Sequence, residues 1–293
     1  MTNLSIANAP ENYRRYFSLA DSSPSGNFNQ QIDSPAEATF ATEELCKTEP
    51  ENCKDLVNYL ESAGFQIAAA FDSGRILEYQ LAMLENPETS IEKKSTALNA
   101  LLADWFDVYY YSSQELELTP AFLALDIALQ QRIMIAFSTY IHNFDLNAPY
   151  DENNEILFSA SFSAINVYRA LWNQLDTATL RPIKSKLKYT IVAAPTVGSV
   201  SPTGKSAADT FDEGYTYEYR ATFTLNGIPK NATKVQVILH NWKQEMVAIT
   251  GNQLTIKIWL HERNPFTQGE LMFFDSNGKL VGESKPFEIR KPN

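Results

Sequence analysis

Apolar side chains recur at helical spacing through roughly the first 180 residues and at strand spacing through the remainder. The strongest helical run is 120–144, in which Phe122, Leu125, Leu129, Ile133, Phe137, Tyr140, Ile141 and Phe144 share one face. Leu123, Ile127, Met134 and Ile135 make the opposite face apolar too, so the run predicts a central helix buried on most sides. Thr119 is placed to cap it, and Pro120 stands in the first turn, where a missing N–H costs nothing. Asp126, Gln130, Gln131 and Arg132 interrupt the run well before the roughly 18 apolar residues of a membrane span accumulate.

Three capping boxes precede this helix. Ser34-Pro35-Ala36-Glu37 predicts a helix to about Cys46, Thr48-Glu49-Pro50-Glu51 a second to about Ser62, and Thr89-Ser90-Ile91-Glu92 a third over 91–111. Between the second and third, an apolar segment runs from Phe65 to Leu84. In the third, Leu98, Leu101, Leu102, Trp105, Phe106 and Tyr109 form the inward stripe. After a polar loop at 147–154, a last helix over 161–175 turns Phe162, Ile165, Tyr168, Leu171 and Trp172 inward. The expected architecture of residues 34–183 is therefore an α-helical bundle of about six helices. Residues 1–33, rich in Ser, Asn and Gln, read as a polar N-terminal arm.

Beyond Leu180 the period drops to two. Residues 215–225 are the clearest strand, with Tyr215, Tyr217, Tyr219, Ala221, Phe223 and Leu225 on one face and Thr216, Glu218, Arg220, Thr222 and Thr224 on the other. Further strands are expected at 187–194, 234–241, 246–250, 253–260, 270–275, 279–282 and Phe287–Arg290, with turns at Asn226-Gly227, Gly251-Asn252 and Asn277-Gly278. This spacing predicts an immunoglobulin-like antiparallel β-sandwich over 186–293. The cysteine pair of antibody domains is missing, so the likeness is architectural, and no motif identifies a family.

A chain of 293 residues with 44% hydrophobic content accommodates two such domains. Its net charge of −11 is unevenly divided: residues 1–185 carry 11 basic and 25 acidic side chains, a net −14, and residues 186–293 carry 13 and 10, a net +3. The acidic half argues against nucleic acid as a partner. The N-terminus has no basic start followed by an apolar core, so the default location is cytoplasmic, with export by a signal-independent route left open. The cysteines, Cys46 and Cys53, could bridge if the chain turned between them, but are expected as reduced, partly buried thiols.

Most chemistry fails on spacing. Gly198 to Ser206 imitates a phosphate loop but has five residues between its glycines instead of four. Asp145 to Asn153 imitates a calcium loop without its glycine or closing glutamate. His261-Glu262-Arg263-Asn264-Pro265 opens like a zinc-protease helix but lacks the second histidine. No Gly-x-Ser-x-Gly elbow is present. Asp104/Asp107 and Glu115/Glu117 are the candidate carboxylate pairs, read as solvated. No catalytic residue, metal or cofactor is expected.

Two aromatic features remain. His240 and Trp242 are read on one strand face, opposite Val235, Val237 and Leu239; Trp259 and His261 are read on another, opposite Leu254, Ile256, Ile258 and Leu260. If the aliphatic residues fill the core, the tryptophans lie outward, where they stack on sugar rings or anchor a protein. The weightier alternative is that one or both cover the interface with the helical domain. Tyr110, in the run Tyr109-Tyr110-Tyr111, is the other candidate contact.

The functional expectation is a non-enzymatic recognition and effector protein. Its sandwich would bind a receptor, glycan or partner, and its helical domain would carry a toxin-like or assembly role. As a layout only, this resembles some bacterial pore-forming or insecticidal proteins. The alternatives are a subunit of a surface or injection apparatus, and an enzyme with its site in the interdomain cleft. A protein or glycan partner is expected, with a homo-oligomer among the forms considered, and no constitutive membrane span.

Overall fold

A computed structural model describes residues 4–5, 31–32, 35–62, 73–106, 116–144, 155–208, 214–239, 242–264 and 266–292. Among them are eight α-helices: α1 (Pro35–Thr48), α2 (Cys53–Ser62), α3 (Ser73–Glu85), α4 (Ile91–Phe106), α5 (Pro120–Leu123), α6 (Ile127–Asn143), α7 (Glu155–Gln174) and α8 (Thr177–Leu180). After them come nine strands: β3 (Thr190–Val192), β4 (Thr196–Ala208), β5 (Tyr215–Thr224), β6 (Lys234–Leu239), β7 (Trp242–Ala248), β8 (Gln253–His261), β9 (Phe266–Phe274), β10 (Leu280–Ser284) and β11 (Phe287–Arg290). Helices thus fill the first half and strands most of the second, as the sequence puts them. In the stretch read as a polar arm, β1 (Leu4–Ser5) and β2 (Gln31–Ile32) form a short antiparallel pair.

The chain divides into two compact units, one made of Met1–Ala136 and Tyr150–Ala170, the other of Phe137–Pro149 and Leu171–Asn293. The first holds helices α1 to α5, the N-terminal part of α6 and most of α7. Its core includes Leu56, Leu60, Leu77, Leu81, Leu98, Leu101, Leu102 and Phe122, all fully buried. On its surface the Arg132 guanidinium donates to both oxygens of Glu85 at 2.7 and 2.8 Å and also to Glu78, which ties α6 to α3.

Two local readings are corrected here. The expected central helix is broken. α5 ends at Leu123, and α6 starts at Ile127. Asp126 makes the break favourable, because its carboxylate accepts the Leu129 N–H at 2.8 Å and so caps α6. Buried Gln130 donates to the carbonyls of Leu123 and Leu125 at 3.4 and 3.0 Å, filling acceptors the break leaves open. The residues flanking the break, Leu123 and Ile127, are exposed rather than packed. The second correction concerns the cysteines, which form a disulfide and are not free thiols. Thr48, read as the start of a capping box, is instead the last residue of α1, and its hydroxyl donates back to the Glu44 carbonyl at 2.8 Å. The one-turn 3-10 helix Pro50–Asn52 then reverses the chain and brings the two Cα atoms to 4.7 Å, within disulfide reach.

In the second unit the strands form two sheets that are almost wholly antiparallel. Six strands are ordered β3-β10-β9-β6-β7, with β11 also paired to β9, and three are ordered β4-β5-β8; only the β3–β10 pair is parallel. One hydrophobic cluster draws on both sheets: Ala221, Phe223 and Leu225, with Leu254, Ile256, Ile258 and Leu260, join Val235, Val237, Leu239, Leu271, Phe273, Phe287 and Ile289. The Phe223 and Phe287 rings meet edge to face at 5.6 Å. The C-terminal part of α6 belongs to this unit. Ser138 Oγ accepts the N–H groups of Lys188 and Tyr189 at 2.7 and 2.8 Å, and the main-chain carbonyl of Leu280 lies 2.9 Å from His142 Nδ1.

Strand β4 replaces the phosphate-loop imitation. It has no alternation to betray it, because nearly all its residues are half-buried or exposed. Its pairing with β5 slips twice, between Val197 and Val200 and between Pro202 and Ser206, and Gly204 adopts φ +82° in the second bulge. The reading of 234–241 as one strand is corrected as well. β6 ends at Leu239, and Trp242 opens the antiparallel return strand β7 opposite Leu239. Trp242 therefore lies on a different strand from Val235, Val237 and Leu239.

Candidate functional site

Strand β8 alternates strictly, with Leu254, Ile256, Ile258 and Leu260 buried and Gln253, Thr255, Lys257 and Trp259 exposed. The aliphatic set fills the core as the sequence expects, which turns Trp259 to the outer face, where it is 38% exposed. Across the ladder it faces Glu218; Lys257 faces Arg220, Thr255 faces Thr222 and His261 faces Thr216. Around the Trp259 ring the outer face is therefore built of hydroxyl and charged side chains.

Each member of this face has a defined setting. Glu218 is buried although it lies on the outer side, because β4 folds over it: Thr203 Oγ1 donates to its Oε1 at 2.7 Å and lies 3.2 Å from its carbonyl. Arg220 and Lys257 are exposed and form no ion pair among the described residues. The free edge of β8 is closed by side chains of β7: Gln244 Oε1 accepts the Trp259 N–H at 2.9 Å and Glu245 Oε2 accepts the Lys257 N–H at 3.4 Å.

His261 marks the end of this face. The zinc-helix imitation it opens is a strand end and a turn, since the Glu262 N–H donates to the Tyr215 carbonyl at 2.8 Å and the Asn264 N–H to the His261 carbonyl at 3.2 Å. His261 Nδ1 accepts the Arg263 N–H at 3.2 Å, while its Nε2 is buried with no hydrogen-bond partner among the described residues. Lys291 Nζ donates to the carbonyls of His261 and Glu262, and burial holds its ammonium below its ordinary pKa, with Glu262 pulling the other way. Gly214 packs on this corner at φ +136°, and a Cβ there would lie 2.5 Å from Glu262 Oε1, so only glycine fits. Tyr215 and Phe266 are exposed beside the corner, and the Arg290 guanidinium sits 5.8 Å from the Phe266 ring centre.

The structure thus brings Trp259 and His261 together on one strand face. Trp242 opens the strand whose Gln244 and Glu245 close the β8 edge. His240, Tyr110, Asp107, Glu115 and the imitation calcium loop at 145–153 lie outside the described residues. Asp104 is held by Lys54 at 2.9 Å and by Gln80 Nε2 at 3.2 Å, which makes it part of an ion-pair network. No three His, Cys, Asp or Glu side chains among the described residues are grouped as metal ligands would be. No helix among them is long and apolar enough to cross a membrane. A cleft of about 560 Å³ in the helical unit is lined by Lys47, Tyr79, Met83, Glu88 and Lys93 among others. Lys47 is already paired with Glu43 and Glu44.

Arg220 and Lys257 are the residues that sequence reading missed as candidates. Alternation alone puts each on an outer face, but only the β5–β8 register sets them opposite one another. No family model matches the chain, and no characterised protein matches it in sequence.

Proposed function

We propose that this chain is a non-enzymatic recognition protein. Its strand-rich half, read as an immunoglobulin-like sandwich, binds a partner through the outer face of β5 and β8. Its helical half, read as a bundle, carries the effector or assembly role. The observation that carries the reading is Trp259, a large aromatic ring turned out of a strand whose alternate residues are wholly consigned to the core. Such a ring leaves more than a third of its surface to solvent, and tryptophan is among the residue types enriched at energetic centres of interfaces.

The test is a glycan and protein-partner screen with the full chain beside its Trp259→Ala variant. Binding should fall by at least about tenfold, while unfolding free energy falls by clearly less than the roughly 3–5 kcal/mol lost when a core tryptophan is truncated. Unchanged binding, or a large loss of stability, would return Trp259 to a packing role.

A further inference from the structure

We infer that the ligand of the β5–β8 outer face is an acidic glycan, with Trp259 stacking on a sugar ring and the Arg220–Lys257 row holding a carboxylate or sulfate on the neighbouring sugar. The inference rests on the recognition reading above and names the chemistry of its partner.

The first ground is the cation row. Arg220 and Lys257 are directly opposite across the ladder, a position where side chains leave the backbone roughly 5 Å apart and like charges repel. A pair selected for folding would place opposite charges or β-branched residues there. Neither nearby acid forms an ion pair with either cation among the described residues. Glu218 is buried and occupied by the Thr203 hydroxyl, and Glu245 faces the Lys257 amide rather than its ammonium. An anion bound between the two cations relieves the repulsion.

The second ground is the spacing. Trp259 and Lys257 are two residues apart on one strand face, which separates them by roughly 7 Å. That is the scale of adjacent units in a polysaccharide, so one sugar on the ring puts the acid group of the next over the cations.

The third ground excludes a peptide partner of the common kinds. A peptide adding itself to the edge of β8 would need the main-chain N–H groups of Lys257 and Trp259, and both are occupied by Gln244 and Glu245. An obligate, core-like protein interface would need an apolar rim around the anchor, and the cross-strand neighbours of this face are Thr216, Glu218, Arg220 and Thr222. A hydroxyl-lined aromatic platform with two adjacent cations suits a polar ligand that has one apolar face and acid substituents. The whole chain carries net −11, so a polyanion is not drawn to it indiscriminately.

The experiment is affinity electrophoresis of the full chain through gels containing polygalacturonate (carboxylates), dextran sulfate (sulfates), unmodified dextran or poly-L-glutamate. It compares the native protein with Arg220→Gln/Lys257→Gln and with Trp259→Ala. The native chain should be retained by one of the two acidic polysaccharides about tenfold more strongly than by dextran, and the acid it prefers identifies the group bound. Raising the salt should weaken retention. The double glutamine variant should fall to the dextran level with its thermal midpoint kept, and the alanine variant should lose retention in every gel. The inference is overturned if the double variant is retained like the native chain, if poly-L-glutamate retains the protein as strongly as the polysaccharides, or if neither acidic polysaccharide retains it. In the first case a loss confined to Trp259→Ala leaves the recognition reading standing; in the last, the partner screen with Trp259→Ala decides that reading independently.

Discussion

Arg220 and Lys257 illustrate how a single residue pair separates folding from function. Side by side on the solvent face of a sheet, they oppose association of β5 with β8, and nothing in the core needs either of them. Replacing Lys257 by Thr should therefore stabilise the protein. The expected gain is roughly 0.2–1 kcal/mol, because a like-charge pair is removed and a β-branched residue introduced. Urea unfolding at low and high salt checks it, and the gain should shrink as salt screens the repulsion. A loss of stability instead would mean that Lys257 has a favourable role in the sheet. Trp259 argues the same way from the apolar side, since its neighbours on β8, Ile258 and Leu260, are buried while it is 38% exposed.

At the scale of elements, the break between α5 and α6 carries the clearest lesson. The helical spacing of apolar residues continues through it, and Leu123 and Ile127 look like core residues until the break turns them outward. Periodicity describes which face is apolar, but it does not register a side chain that competes with the helix for its own hydrogen bonds. Asp126 does so by capping α6, and Gln130 does so by bonding the carbonyls released by α5. Asp126→Ala should cost about 1 kcal/mol, the usual value of an N-cap, in urea unfolding followed by far-ultraviolet circular dichroism. A neutral result would show that the break is held by packing alone. Strand β4 was illegible for the opposite reason. An exposed, twice-bulged edge strand has no buried face to impose alternation, so its residues read as a loop. The strands with one buried face, β5 and β8 above all, were legible almost to the residue. The disulfide was missed because seven residues of sequence separation say nothing about direction, and the reversal through Pro50–Asn52 appears only in three dimensions.

At the scale of the whole molecule, the residue boundaries of the two compact units include cuts within helices α6 and α7, whereas the change of hydrophobic rhythm falls about residue 185. The strand-rich unit accordingly includes helical residues, and Ser138 is the clearest of them. Its hydroxyl accepts two backbone N–H groups, one of them from the fully buried Tyr189. Ser138→Ala leaves those donors without their acceptor and should cost about 1–3 kcal/mol, the penalty for buried unsatisfied donors, measured by denaturant unfolding of the full chain. A change under about 0.5 kcal/mol, within the range of an ordinary surface substitution, would show that the connection is dispensable.

Sequence alone determined the order of things: helices before strands, the residues that fill the β core, the outward turn of Trp259 and the uneven charge. Each of these follows from burial acting on residues close together in the chain, where a period of two or of about three and a half is enough to reveal a buried face. Tertiary structure decided the rest. It placed Arg220 opposite Lys257, closed the edge of β8 with Gln244 and Glu245, folded β4 over Glu218, joined Cys46 to Cys53 and drew Ser138 into the strand-rich unit. All of these are pairings between side chains or edges set by register and chain reversal, and a linear pattern of apolar and polar positions contains no term for either.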